Sequence, residues 1–180
     1  MLIAQEKRKE NIAEYLLYMF QIEDLIRSYD FDINRIESEL ISRYDQTYEA
    51  KRELREWYGA LISMMTESKC EKSGHIPLVE TLIKDVNDLH HTLLAAKAEE
   101  EYKELHLRVN TALAELKLRG GDTEMSDIKA SLNGLYGYLM LKIQNKTINP
   151  ETKIAFEHIS SMMAVLSQRF KEVEKGLNEA

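Results

Sequence analysis

At 180 residues the chain is long enough to bury one large core, and its net charge of −7 works against the basic stripe that binding a phosphate backbone requires. Its one cysteine, Cys70, excludes an intrachain disulfide and any cysteine-built metal site. The longest apolar run, residues 15–20, falls far short of the ~20 residues a membrane span needs.

The opening MLIAQEKRKE is apolar for three residues and then charged, with no signal-peptide core. These features describe a cytoplasmic chain that binds neither nucleic acid nor membrane. Only two prolines and seven glycines punctuate it, which suits helices better than a sandwich or barrel.

The first predicted helix covers residues 4–29, with polar first turns projecting from the core. Ile12, Tyr15, Leu16, Met19, Ile22 and Ile26 recur at helical spacing, and Tyr18, Leu25 and Tyr29 form a second row. A helix apolar over so much of its circumference needs several neighbours, which places it at the centre of a bundle.

Asp32 then caps a helix to residue 44 with Ile33, Ile36, Leu40 and Tyr44 facing inward. Asp45 is the expected cap of the next helix, to residue 68, which buries Leu54, Trp57 or Tyr58, Leu61, Met64 and Met65. Residues 69–75 make a loop in which Gly74 can take a positive φ, and Pro77 suits a first helical position. The following stripe is Val79, Leu82, Val86, Leu89 and Leu93; the one after it is Tyr102, Leu105, Val109, Leu113 and Leu116. One helix over residues 77–118 would be ~63 Å long at ~1.5 Å per residue, so a break or sharp kink is expected near residues 95–98, leaving open one kinked helix or two.

Gly120 and Gly121 stop that helix, and Asp122 is the expected cap of the next, to residue 145. It buries Met125, Ile128, Leu132, Leu135, Leu139 and Ile143. Asn149, Pro150 and Glu151 open the last helix, with a near-heptad seam of Ala155, Ile159, Met162, Leu166, Phe170, Val173 and Leu177. The expectation is one all-α domain over residues 1–180, a bundle of six or seven antiparallel helices around a central N-terminal one.

Four stretches, KRKENIAEYLLYMFQIEDLIR, LVETLIKDVNDLHHTLL, LNGLYGYLML and NPETKIAFEHISSMMAVL, together resemble a family of small all-helical bacterial proteins catalogued only as a domain of unknown function. The resemblance implies the fold and a single domain over nearly the whole chain. It implies no activity, substrate or catalytic residue.

The sharpest enzyme-like pattern is acidic. Glu100, Glu101 and Glu104 form E-E-x-x-E, and Glu124 with Asp127 forms E-x-x-D. The spacing is similar to that of all-helical nucleotide pyrophosphohydrolases of the MazG type, which implies carboxylates holding Mg²⁺ on facing helices. Carboxylates three or four apart share a helix face, and a hard cation takes them together with substrate phosphates. Against this, 31 acids in 180 residues produce such spacings by chance, and acids also favour helix N-termini.

The histidines give less. Asp88 and His91 share one turn, but no Glu-x-x-His exists for a di-iron bundle. His75, His106 and His158 are scattered over different elements, and His90 reads as a hydrogen-bonded residue at the core edge. Cys70 has no orienting third group near it in sequence, and no phosphate-binding glycine loop or nucleophile elbow is present.

Ala130, Gly134 and Gly137 lie on one side of a helix where each glycine costs ~1 kcal/mol relative to alanine. Close approach of another helix, such as the first, would account for them. The alternative is a ligand groove lined by Gly134, Gly137, Tyr136, Tyr138, Tyr15 and Tyr18, the tyrosines being polar tips on an apolar wall. The last helix is long enough to serve both the core and a partner. The sequence therefore describes a helical binding or scaffold module without catalysis of its own, with a homodimer or a protein partner. Its alternative is a Mg²⁺-dependent nucleotide pyrophosphohydrolase.

Overall fold

A computed structural model describes the backbone of residues 2–178 and the side chains of residues 4–176, and among these residues it is all-helical. Eight α-helices are seen, α1 (Leu2–Glu10), α2 (Ile12–Ser28), α3 (Ile33–Glu39), α4 (Tyr48–Glu67), α5 (Pro77–Ala95), α6 (Glu100–Gly120), α7 (Asp127–Ile143) and α8 (Pro150–Asn178). A 3₁₀ turn (Ile41–Arg43) links α3 to α4.

The central helix is α2. It packs against α1, α4, α5, α7 and α8, and every residue of its expected first row is buried. Its start differs from the expected one. Asn11 adopts extended backbone and its side chain accepts the Glu14 N–H at 3.1 Å, so a new helix begins there. Asparagine competes well with the helical backbone at such a cap, and this divides the expected first helix in two. Nor do the polar first turns project. Arg8 of α1 grips Glu174 of α8 through both terminal guanidinium nitrogens, 2.7 and 2.5 Å, above the Phe170 ring.

Asp32 caps α3 as expected, accepting from Asn34 and Arg35. The helix then tightens into the 3₁₀ turn, which buries Ile41 and leaves Tyr44 exposed. Thr47, not Asp45, caps α4 by accepting the Ala50 N–H. The break between α5 and α6 falls where helix length demands it, with Ala96 in extended backbone. Gly121 closes α6 at φ +72, the left-handed conformation that glycine alone adopts without strain. Asp122 does not cap α7: it accepts the Glu124 N–H within the turn, and Ser126 supplies the cap.

The buried seam of α8 runs through Ile159, Met162, Leu166 and Phe170, all in the core, while Val173 is exposed. The Leu177 side chain lies outside the described residues. Gly134 is the point of closest helix approach on α7. A Cβ there would stand 2.7 Å from Leu116 of α6 and 3.1 Å from Phe156 of α8, so the neighbours are those helices and not the first one. No described helix is long and apolar enough to cross a membrane.

Candidate functional site

The five acids of the sequence pattern do not gather. Glu100 pairs with Lys103 at 2.9 Å and Glu104 faces Arg108 at 3.7 Å, both on the outside of α6. Glu101 and Glu124 are exposed. Asp127 alone turns inward.

The tyrosines and glycines of the expected groove also diverge. Tyr15 is buried and Tyr18 half-buried. Tyr136 donates to Asp24 at 2.6 Å and meets Phe20 edge-on, toward α2. Tyr138 stacks on Phe156 of α8, with Lys142 over its ring. Gly134 is covered by Leu116 and Phe156, whereas Gly137 faces open space.

What the fold does assemble is a polar cluster where α5, α6 and α7 meet. His90 of α5, His106 of α6 and Asp127 at the first position of α7 each offer one ligand atom, and the three atoms lie within 4.8 Å of one another. Among the described residues no other trio of histidine, cysteine and acid does so. Ser126 places Asp127 by starting α7 there, and a carboxylate in the first turn is favoured by the helix dipole.

His106 Nε2 contacts Asp127 Oδ2 at 2.8 Å, and Lys117 Nζ holds the other oxygen at 2.7 Å. The hydrogen bond with His106 is the main reason that the Asp127 carboxyl is held far below the usual carboxylate range. Contact with His90 and Lys117 adds to it, and burial opposes it. His90 is 1% exposed, and its Nδ1 meets the Tyr102 hydroxyl at 2.6 Å. Burial raises the Tyr102 phenol well above its ordinary value, so it remains a neutral hydrogen-bond partner. On the far side of the ring, His90 Nε2 has no hydrogen-bond partner among the described residues, and Asp127 Oδ2 at 3.8 Å is beyond hydrogen-bond reach.

Sequence reasoning set Asp127 among the wrong companions and left both histidines aside. His90 does fall on the inward row of α5 beside Val86 and Leu93, which was the available signal. His106 and Asp127 are 21 residues apart on two helices, and the packing of α6 on α7 makes them neighbours.

A second carboxylate–histidine cluster went unread. Glu23 of α2 is fully buried, and its oxygens take the Ile76 N–H at 2.9 Å and His75 Nδ1 at 2.5 Å. His75 stacks on Phe20 with ring centres 3.9 Å apart. Arg27, one turn further along α2, donates to the Cys70 and Gly74 carbonyls at 3.0 and 2.5 Å. Together these contacts pin the α4–α5 loop to the central helix.

No curated protein and no solved structure matches the chain. A family profile does, over residues 1–177, and it is described as a domain of unknown function, DUF4924. The chain belongs to that family.

Proposed function

We propose that the protein is a cytoplasmic binding or scaffold module without catalysis of its own, and that it works as a homodimer joined through the outer face of α6. One observation carries this reading. Leu107 and Leu118 of α6 are 69% and 71% exposed, and with Thr111 and Ala114 between them they form an i, i+4, i+7, i+11 stripe opposite the helix's buried face. This is the spacing of a helix-on-helix seam, and the small central residues favour close approach.

The charges beside the stripe suit a second copy of the same helix. Glu104, Arg108, Glu115 and Arg119 all lie on one flank and pair within the helix, Glu104 with Arg108 at 3.7 Å and Glu115 with Arg119 at 3.4 Å. An antiparallel two-fold pairing centred between Thr111 and Ala114 would set Glu104 opposite the second copy's Arg119, and Arg108 opposite its Glu115. An isologous contact requires such self-complementarity. The seam of α8, the other candidate surface, is largely spent on the core.

Sedimentation equilibrium over a range of concentrations tests the proposal. The wild-type chain is expected to dimerise reversibly, and Ala114→Glu, which sets a charge in the seam, to be monomeric with its helicity intact. Arg108→Glu should weaken the dimer, and adding Glu115→Arg should restore it. A wild-type chain that stays monomeric throughout would overturn the reading. The hydrolase alternative is tested by thermal unfolding with Mg²⁺ and nucleoside triphosphates: a binding module shows no shift, whereas a metal-dependent shift abolished by Glu104→Gln would favour the enzyme.

A further inference from the structure

We propose that His90, His106 and Asp127 form a site for a divalent transition metal, with zinc as the fitting ion, held through the two imidazole Nε2 atoms and Asp127 Oδ2. The inference stands apart from the dimer and does not rest on it.

The unpartnered His90 nitrogen is the primary argument. A buried polar atom without a hydrogen bond costs ~1–3 kcal/mol, and such atoms in folded proteins call for an explanation. His90 Nε2 is buried, and Asp127 Oδ2, its neighbour at 3.8 Å, is too far to satisfy it. A cation bound there satisfies the nitrogen while His90 keeps Tyr102 and Asp127 keeps Lys117; it takes the place of the proton between His106 Nε2 and Asp127 Oδ2, which is released to solvent.

The spacing is right for such an ion. Donors around a tetrahedral zinc, each about 2.0–2.1 Å from the metal, stand roughly 3.4 Å apart. The two separations to Asp127 Oδ2, 2.8 and 3.8 Å, straddle that value. Shifts of a few tenths of an ångström in side chains would equalise them.

Chemistry narrows the metal. Two imidazoles and one carboxylate suit zinc and its transition-metal neighbours, whereas Mg²⁺ prefers an all-oxygen shell. The surrounding groups are those that steady metal ligands. Tyr102 fixes the His90 ring through Nδ1, and Lys117 fixes the carboxylate through Oδ1 while leaving Oδ2 to the imidazoles. The His106 and Asp127 side chains are 15% and 24% exposed, so one side of the site reaches solvent. Water can complete the shell there. Because the ligands come from α5, α6 and α7, the ion would join three helices.

The test is calorimetric titration of zinc into the chelator-treated full chain, repeated with His106→Gln and Asp127→Asn. One saturable zinc per chain is expected, at micromolar dissociation constant or tighter, weakened at least about 100-fold in each variant while circular dichroism stays that of wild type. Cobalt(II) provides a reading independent of any variant's folding: the wild-type chain should give d–d absorption bands that added zinc abolishes. No saturable zinc, no cobalt bands, or zinc binding unchanged in folded variants would each overturn the site.

Discussion

The molecule holds two buried meetings of carboxylate and histidine, and they are finished to different degrees. At the α4–α5 loop, both Glu23 oxygens are taken, one by a backbone N–H and one by His75, whose ring lies flat on Phe20. Where α5, α6 and α7 meet, Asp127 is equally well served by His106 and Lys117, yet the buried His90 nitrogen beside it has no partner. A carboxylate with both oxygens satisfied acts as a fastener, and its value is the loop it holds. A cluster with a buried orphan atom carries a free-energy penalty that a ligand can remove. Residue types alone would not separate the two; the difference lies in which atoms are left over.

Breaking the finished cluster should have the largest effect. Glu23→Ala removes a buried carboxylate and strands the His75 ring and the Ile76 N–H, so a loss of about 3 kcal/mol is expected in urea denaturation. Protease cleavage within residues 69–76 should rise with it. A loss under about 1 kcal/mol would mean that the loop is held by its apolar contacts.

Without metal, the unfinished cluster should be far more tolerant. His90→Leu combined with Tyr102→Phe removes both members of one hydrogen bond and the orphan nitrogen together. The expected change is about 1 kcal/mol or less, measured in the same way in the presence of chelator. A loss as large as that of Glu23→Ala would make the two clusters energetically alike and remove the contrast.

Apolar packing offers a control away from both. Gly137 has open space beside it, so Gly137→Ala should stabilise by about 1 kcal/mol through helix propensity. Gly134→Ala should forgo that gain and lose about 1 kcal/mol, because its Cβ would press on Leu116 and Phe156. Trimming Leu116 to alanine in the same chain should relieve the pressure and shrink the Gly134→Ala penalty.

The smallest effect at neutral pH belongs to Tyr58. Burial, aided by the nearby Tyr44 phenol, raises its pKa above the ordinary value. The folded chain therefore keeps a proton that the unfolded chain releases above about pH 10. The stability this contributes is complete below that pH and declines as pH rises toward the folded value. Tyr58→Phe should flatten the alkaline fall in stability measured by urea denaturation, with little change at pH 7.

The helices were legible because burial writes a period into the sequence. Every member of the Ile12, Tyr15, Leu16, Met19, Ile22 and Ile26 row is buried, and length pointed to a break or kink between α5 and α6, though not to which of the two. Caps were less legible, because Asp45 competes with Thr47 and Asp122 with Ser126, and the choice depends on how the turn packs. The polar clusters were hidden for a further reason. Glu23 sits in the central helix as one acid among many, and His90, His106 and Asp127 are joined only by the meeting of three helices. Periodicity reports which side faces inward, not which polar atom there finds a partner.

The most direct test of the contrast is a two-dimensional ¹H–¹⁵N correlation spectrum of the histidine rings, recorded before and after one equivalent of zinc. The Nε2 resonances of His90 and His106 are expected to move together to metal-bound positions while both nitrogens of His75 stay in place. Movement of His75, or no movement at His90, would contradict that contrast.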